Sequence, residues 1–212
     1  MNQVQNVPSP GGYERAYAQS YELAFAQLAQ SDLGEICRRS GAVSLSDSSL
    51  RVGFCKVQAI VDIEQRSVIS PAGILPMTEQ LVILHYLCTA GGQASSGKLI
   101  SFKDLADGAG YFPTFYKRAV LPVVMKFGDS LAAFSAAAAS IGGKNVAMGD
   151  AGASFDIFPR VMLSWIIWQG EIGLPPEGSV LFDSGITNYL PVEDIAALCQ
   201  SIASKLCSFD GD

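Results

Sequence analysis

Leu50-Arg-Val-Gly-Phe-Cys-Lys-Val-Gln-Ala-Ile-Val-Asp-Ile63 carries apolar residues at every second position: Leu50, Val52 and Phe54, then Val57, Ala59, Val61 and Ile63. A period of two is that of a strand with one buried face. The break between the two runs is too short for a crossover helix, so the strands pair antiparallel. Upstream, Val43 and Leu45 alternate with polar neighbours before the turn signal Asp47-Ser48-Ser49. The span from Ala42 to Ile69 therefore predicts two or three antiparallel strands.

Outside this span the period changes to that of helices. Tyr17, Tyr21, Ala24, Phe25 and Leu28 form one stripe on a helix predicted over Tyr13 to Gln30. Asp32 is placed to cap a second helix, with Glu35 as its capping-box partner and Gly41 to end it. Leu33, Ile36 and Cys37 form that helix's inner face. After a loop marked by Pro71, Gly73 and Pro76, Thr78 is the expected N-cap of a helix running to about Thr89. Leu81, Val82, Ile83, Leu84, Leu87 and Cys88 cover most of its circumference, which predicts a central, buried helix. Lys98 to Phe102 reads as a short strand and 103–118, with Gly108, Gly110 and Pro113, as irregular chain. A helical region follows, with breaks expected at Pro122 and at Gly128-Asp129. Leu131, Phe134, Ala138 and Ile141 then make a further helical stripe.

Ala153, Phe155 and Ile157 alternate as a strand, and Val161 to Trp168 suits a central strand buried on both faces. Val180 to Phe182 continues the sheet after a turn at Pro175-Pro176. Pro191, expected at the first helical position, opens a last helix with Glu193 and Asp194 in its first turn. Its stripe is Ile195, Leu198, Cys199, Ile202 and Leu206. The sum is an α+β chain: one domain over 13–208, a mostly antiparallel sheet packed with several helices. Residues 1–12 read as a disordered lead and 209–212 as a tail.

Of 212 residues, 49% are hydrophobic and 16% charged, a composition that builds a core and excludes intrinsic disorder. The densest apolar stretch, Val161 to Trp168, has eight residues, against about 20 for a membrane span. Lys and Arg total 14 and Asp and Glu 20, a net charge of −6. That balance argues against nucleic acid and anionic membrane surfaces as partners. The five cysteines, at 37, 55, 88, 199 and 207, are odd in number and include no close pair. They read as free thiols in a reducing compartment, with no metal site. Met1 to Gly12 has neither a basic nor an apolar run, so no signal peptide is read there and the expected location is cytoplasmic.

Few residues stand out as chemistry. Gly92-Gln-Ala-Ser-Ser-Gly97-Lys98 meets seven positions of a phosphate-binding loop, but Leu99 replaces the hydroxyl residue of the eighth. It also follows a helix and precedes a strand, the reverse of the arrangement that cradles phosphate. His85, the single histidine, fits either a neutral buried imidazole bonded to a carbonyl or carboxylate, or an acid–base group or axial metal ligand. Cys88 follows it on the same face, where a nucleophile pair is conceivable. Tyr111, Phe112, Phe115 and Arg118 could wall a ligand pocket, or the aromatics could pin a loop over the core. Asp183, at a strand end, suits a functional carboxylate or a turn cap, and Arg160 suits a turn residue or a carboxylate's partner.

The segments "DLGEICRRSGA" (32–42), "TEQLVILHYL" (78–87), "ISFKDL" (100–105), "RAVLPVVMKFG" (118–128), "FPRVMLSWIIWQG" (158–170) and "LFDSGITNYLPVEDIAAL" (181–198) occur in that order. Together they resemble an uncharacterised bacterial and archaeal family, domain of unknown function 3786, across about residues 15 to 207. The resemblance implies a stand-alone domain that in relatives can adjoin iron–sulfur-type domains, which hints at anaerobic redox or corrinoid metabolism. It implies no catalytic residues; the matching positions that could carry a site are His85, Tyr86, Arg118, Arg160 and Asp183. The leading expectation is a module holding a small ligand or cofactor between the central helix and the sheet. Arg118 and His85 are its expected polar contacts, with walls from Tyr111, Phe112 and Phe115. Its sharpest form is a tetrapyrrole or corrinoid with His85 as axial ligand. The alternatives are an enzyme, a hydrolase or transferase using Asp183 and Arg118, and a homodimer or protein-interaction subunit without chemistry of its own.

Overall fold

The alternation that ends at Ile63 is realised in β2 (Ser49–Phe54) and β3 (Val57–Asp62), paired antiparallel from Ser49↔Asp62 to Phe54↔Val57. Leu50, Val52, Phe54, Ala59 and Val61 all point into the core. β1 (Val43–Ser46) and β4 (Ser67–Ile69) flank them, giving a four-stranded sheet in the order β1-β2-β3-β4. The computed structural model describes residues 10–71 and 73–210. Of the lead expected over 1–12, residues 1–9 lie outside that range, as do the last two tail residues, while 10–12 are not irregular but form the first turn of the helix Pro10–Ala29.

A second antiparallel sheet has five strands: β5 (Leu99–Ser101), β6 (Lys144–Val146), β7 (Ala151–Phe158), β8 (Val161–Trp168) and β9 (Glu177–Asp183). Their order is β5-β9-β8-β7-β6, so the β-branched and aromatic run of β8 is the central strand. One face of this sheet carries the buried Phe155, Leu163, Trp165, Ile167, Val180 and Phe182. β6, polar and three residues long, gave no periodic signal.

The helices are α1 (Pro10–Ala29), α2 (Leu33–Ser40), α3 (Met77–Thr89), α4 (Gly108–Phe115), α5 (Leu121–Phe127), α6 (Leu131–Ser140) and α7 (Val192–Cys207). α3 is buried almost all round, through Leu81, Val82, Ile83, Leu84, Tyr86 and Leu87, and packs against α1, α2 and α7. α7 buries the whole predicted stripe, Ile195, Leu198, Cys199, Ile202 and Leu206. Among the described residues, no helix is long and apolar enough to cross a membrane.

Local signals mark some helix ends and miss others. Asp32 caps α2 by accepting from the Glu35 N–H at 2.7 Å. The capping box is not completed, because the Glu35 carboxylate turns to Arg38 and Arg39 instead. Thr78 is not the cap of α3; the helix starts at Met77 behind Pro76, with no side-chain cap. Pro191 stands one place outside α7, at the N-cap.

The larger correction is at 103–118. The expected irregular chain is helix α4, and it runs on into α5 through a π turn at Tyr116–Val120. Pro122 does not break the helix. A proline lacks an N–H and its ring clashes with the carbonyl four residues back. Here the ladder has already shifted: the Leu121 N–H bonds to Tyr116 O, five residues back, and the wider turn accommodates the ring.

Gly41 ends α2 in the left-handed region, at φ +76°, and an added Cβ would lie 2.8 Å from Pro159 Cβ. Conformation and space both demand glycine there. We expect Gly41→Ala to lower the unfolding free energy by about 1–2 kcal/mol in urea titrations, with an unchanged denaturant slope. A loss under about 0.5 kcal/mol would mean that α2 and the β7–β8 turn are not tightly docked.

Candidate functional site

Four segments converge at one end of the five-stranded sheet. They are the loop 93–97, the start of β5 at Leu99, the β7–β8 turn around Pro159-Arg160, and the stretch from Asp183 to Tyr189 that leads into α7. Between them lies an open groove of about 800 Å³. Small-molecule sites usually span roughly 300–1,000 Å³. Phe158, Val161, Ile186 and Tyr189 form its buried floor, while Leu99 (41% exposed) and Met162 (47%) stand on its rim.

The floor is held from behind. Tyr86 of α3 stacks on Phe158 with ring centroids 4.0 Å apart and planes 5° from parallel. Its hydroxyl donates to the Ser40 carbonyl at 2.5 Å, and burial pushes the phenol pKa up. Tyr189 donates its hydroxyl to the Gln93 carbonyl, and its own carbonyl accepts from Thr89 Oγ1 at 2.6 Å. Tyr86 is thus a support of the groove and not a wall of it.

Asp183 lies on the groove, but its oxygens are already taken. Oδ2 accepts from Ser95 Oγ (2.6 Å), Ser96 Oγ (2.9 Å) and the Gly97 N–H (2.9 Å), and Oδ1 from the Gly185 N–H (2.8 Å). Burial opposes ionisation, but these donors outweigh it and hold the pKa well below the usual carboxylate range. The loop that resembles a phosphate cradle therefore does bind an anion, and the anion is the chain's own carboxylate. A group so fully engaged makes a poor general base.

Arg160, in the turn, contributes the groove's cation. One guanidinium nitrogen donates to the Arg38 carbonyl at 3.2 Å, and no carboxylate pairs with it among the described residues. Asp156, also lining the groove, is paired with Lys144 at 2.6 Å.

The remaining sequence candidates lie elsewhere. His85 is not on the groove; its Nδ1 sits 2.7 Å from Asp194 Oδ2 in the first turn of α7. The hydrogen bond that Asp194 accepts raises the imidazole pKa against the opposing effect of burial. A tetrapyrrole seated in the groove could not take His85 as axial ligand. Burial pushes the Cys88 thiol up to about 12, and its Sγ donates to the Ala24 carbonyl, which leaves no thiolate for a pair with His85.

The helical 108–120 segment also fails to wall the groove. Phe115 is buried and stacks on Phe102 at 4.0 Å, Phe112 receives the Lys103 ammonium at 4.1 Å, and Tyr111 and Arg118 are exposed. Of the sequence candidates, Arg160 and Asp183 are brought together, and His85, Tyr86, Tyr111, Phe112, Phe115 and Arg118 are not. Leu99, Phe158, Met162 and Tyr189 went unpredicted. The one signal for them is the turn dipeptide Pro159-Arg160 between two apolar strands, which places a cation at a hairpin end.

The family model described as "Domain of unknown function (DUF3786)" matches residues 32–205. The chain belongs to this family. The match spans every segment of the groove, from α2 to α7. No curated protein and no solved structure matches the chain.

For this DUF3786 chain, two outcomes follow from the paired carboxylates. Asp183→Ala removes an ionic acceptor from four donors, and we expect a loss of about 1.5–3 kcal/mol in stability. Faster amide exchange at Gly97 and Gly185 than in α7 would locate the damage; uniform exchange would contradict the local role. Because its folded pKa is depressed, the Asp183 contribution is present above the ordinary carboxylate pKa and is lost as pH falls through the folded value. His85 has the opposite sign. Its raised folded pKa gives stability that is complete below the unfolded pKa near 6.5 and disappears as pH rises through the folded pKa. The stability gap between wild type and His85→Gln should therefore narrow from pH 6 to pH 9. A pH-independent gap would show that Asp194 does not favour the charged imidazole.

Proposed function

We propose that the chain is a cytoplasmic small-ligand-binding module whose site is the groove between the β7–β8 turn and loop 93–97. The observation that carries this reading is an open, ligand-sized groove with a buried apolar floor and a cation, Arg160, that no carboxylate among the described residues pairs. The groove is built on strand ends and held by the Tyr86–Phe158 stack and the Asp183 loop anchor, so it is preformed. Five free cysteines are in keeping with a reducing compartment. The enzyme alternative through Asp183 and Arg118 loses support, since Asp183 is saturated and Arg118 does not line the groove.

A second reading, a protein-interaction subunit, draws on the β8–β9 hairpin. Ile172 and Leu174 are highly exposed at its tip, and Trp168 is 42% exposed at its base. The groove reading accounts for more of the structure, because its lining is both shaped and chemically mixed.

Met162 supplies the test. In protein labelled at the methionine methyl carbons, fragment hits should shift the Met162 methyl resonance and compete with one another. Met125, 78% exposed on α5 and away from the groove, serves as the control. Hits that move both methyls equally, or Met125 alone, would remove the groove from consideration.

A further inference from the structure

We propose that the groove selects an oxyanion on an apolar body, a phosphate or a carboxylate held by Arg160. This deepens the reading of the groove as a ligand site and rests on it.

The chain is acidic overall, at −6, yet the β7–β8 turn places the cation Arg160 on the groove. The last turn of α2 brings the Arg38 backbone carbonyl against the Arg160 guanidinium, with the Gly41–Pro159 contact fixing the approach. Glu35 occupies the side chains of Arg38 and Arg39. Arg38 takes it in a two-pronged pair at 2.6 and 2.8 Å, and Arg39 Nε lies 3.1 Å from Oε1 without the alignment of a hydrogen bond. Arg38 and Arg39 thus share one carboxylate, and among the described residues no carboxylate pairs with Arg160.

Arg160 is also oriented. Its bond to the Arg38 carbonyl uses one of five N–H donors and steadies the guanidinium, leaving a planar fork for an oxyanion. Arg39 packs against the loop that forms the neighbouring wall: an added Cβ on Gly92 would lie 3.1 Å from Arg39 Cγ. The carboxylates on the groove do not compete for Arg160. Asp156 is taken by Lys144, and Asp183 is satisfied by four donors of the loop and of Gly185. Sharing the groove with Arg160, Met162, Leu99 and the Phe158–Tyr189 floor offer apolar contact. An anion at one end and apolar surface beside it describe one kind of ligand.

Three probes with a common body separate the possibilities: 1-naphthyl phosphate, 1-naphthoate and 1-naphthol. Each is titrated calorimetrically into wild type, Arg160→Gln and Met162→Gln at low salt. At least one oxyanion should bind about tenfold or more tighter than naphthol, the size expected of a hydrogen bond to a charged group. The tighter of the two identifies phosphate or carboxylate as the source. Arg160→Gln should cancel this advantage without changing naphthol affinity, and Met162→Gln should weaken all three probes. If naphthol binds as tightly as both oxyanions, or Arg160→Gln leaves their advantage intact, the oxyanion proposal is overturned while the groove reading survives. If no probe binds, or Met162→Gln changes nothing, both fall. Arg160 is exposed in a turn, so matching thermal unfolding curves are expected and separate a binding defect from a folding one.

Discussion

The phenol of Tyr86 is the constraint on which the arrangement depends. α3 is apolar nearly all round, so it must lie inside the molecule, and a tyrosine inside must find an acceptor. The Ser40 carbonyl at the end of α2 provides it, while the ring lies flat on Phe158 at the end of β7. One side chain thus fixes the end of α2, the core helix and the hairpin end relative to one another. Arg160 and the groove floor inherit their positions from that junction. The apolar concavity of the groove follows from where this frame stops.

The fold was legible wherever burial imposes a period. Leu50 to Ile63 alternates because one face meets the core, and Ile195 to Leu206 repeats at helical spacing for the same reason. Reading failed where backbone chemistry and packing disagree. Gly108, Gly110 and Pro113 argue locally against helix, yet Phe115, Ala119 and Val123 are buried along one continuous run. Packing overrode propensity, and the cost was absorbed by a single π turn.

The site was less legible than the fold, for a topological reason. Its residues come from the loop after α3, two sheet strands, one hairpin end and the entry to α7, separated by as much as half the chain. No spacing rule connects such positions. His85 and Arg118 drew attention by residue type, but type does not report location. His85 is spent joining α3 to α7, and Arg118 faces outward from a helix.

The Asp183 nest bears on how loops of this composition recognise anions. Its donors are like those that a phosphate-binding loop offers: a glycine amide and neighbouring hydroxyls. Here the guest is covalently attached, so any free anion faces an intramolecular competitor at an effective concentration of about millimolar or more. The loop is therefore shielded from the phosphates of the surrounding solution by simple mass action. A glycine- and serine-rich sequence can lose its affinity for nucleotides without changing a donor, once a strand end supplies a carboxylate within reach.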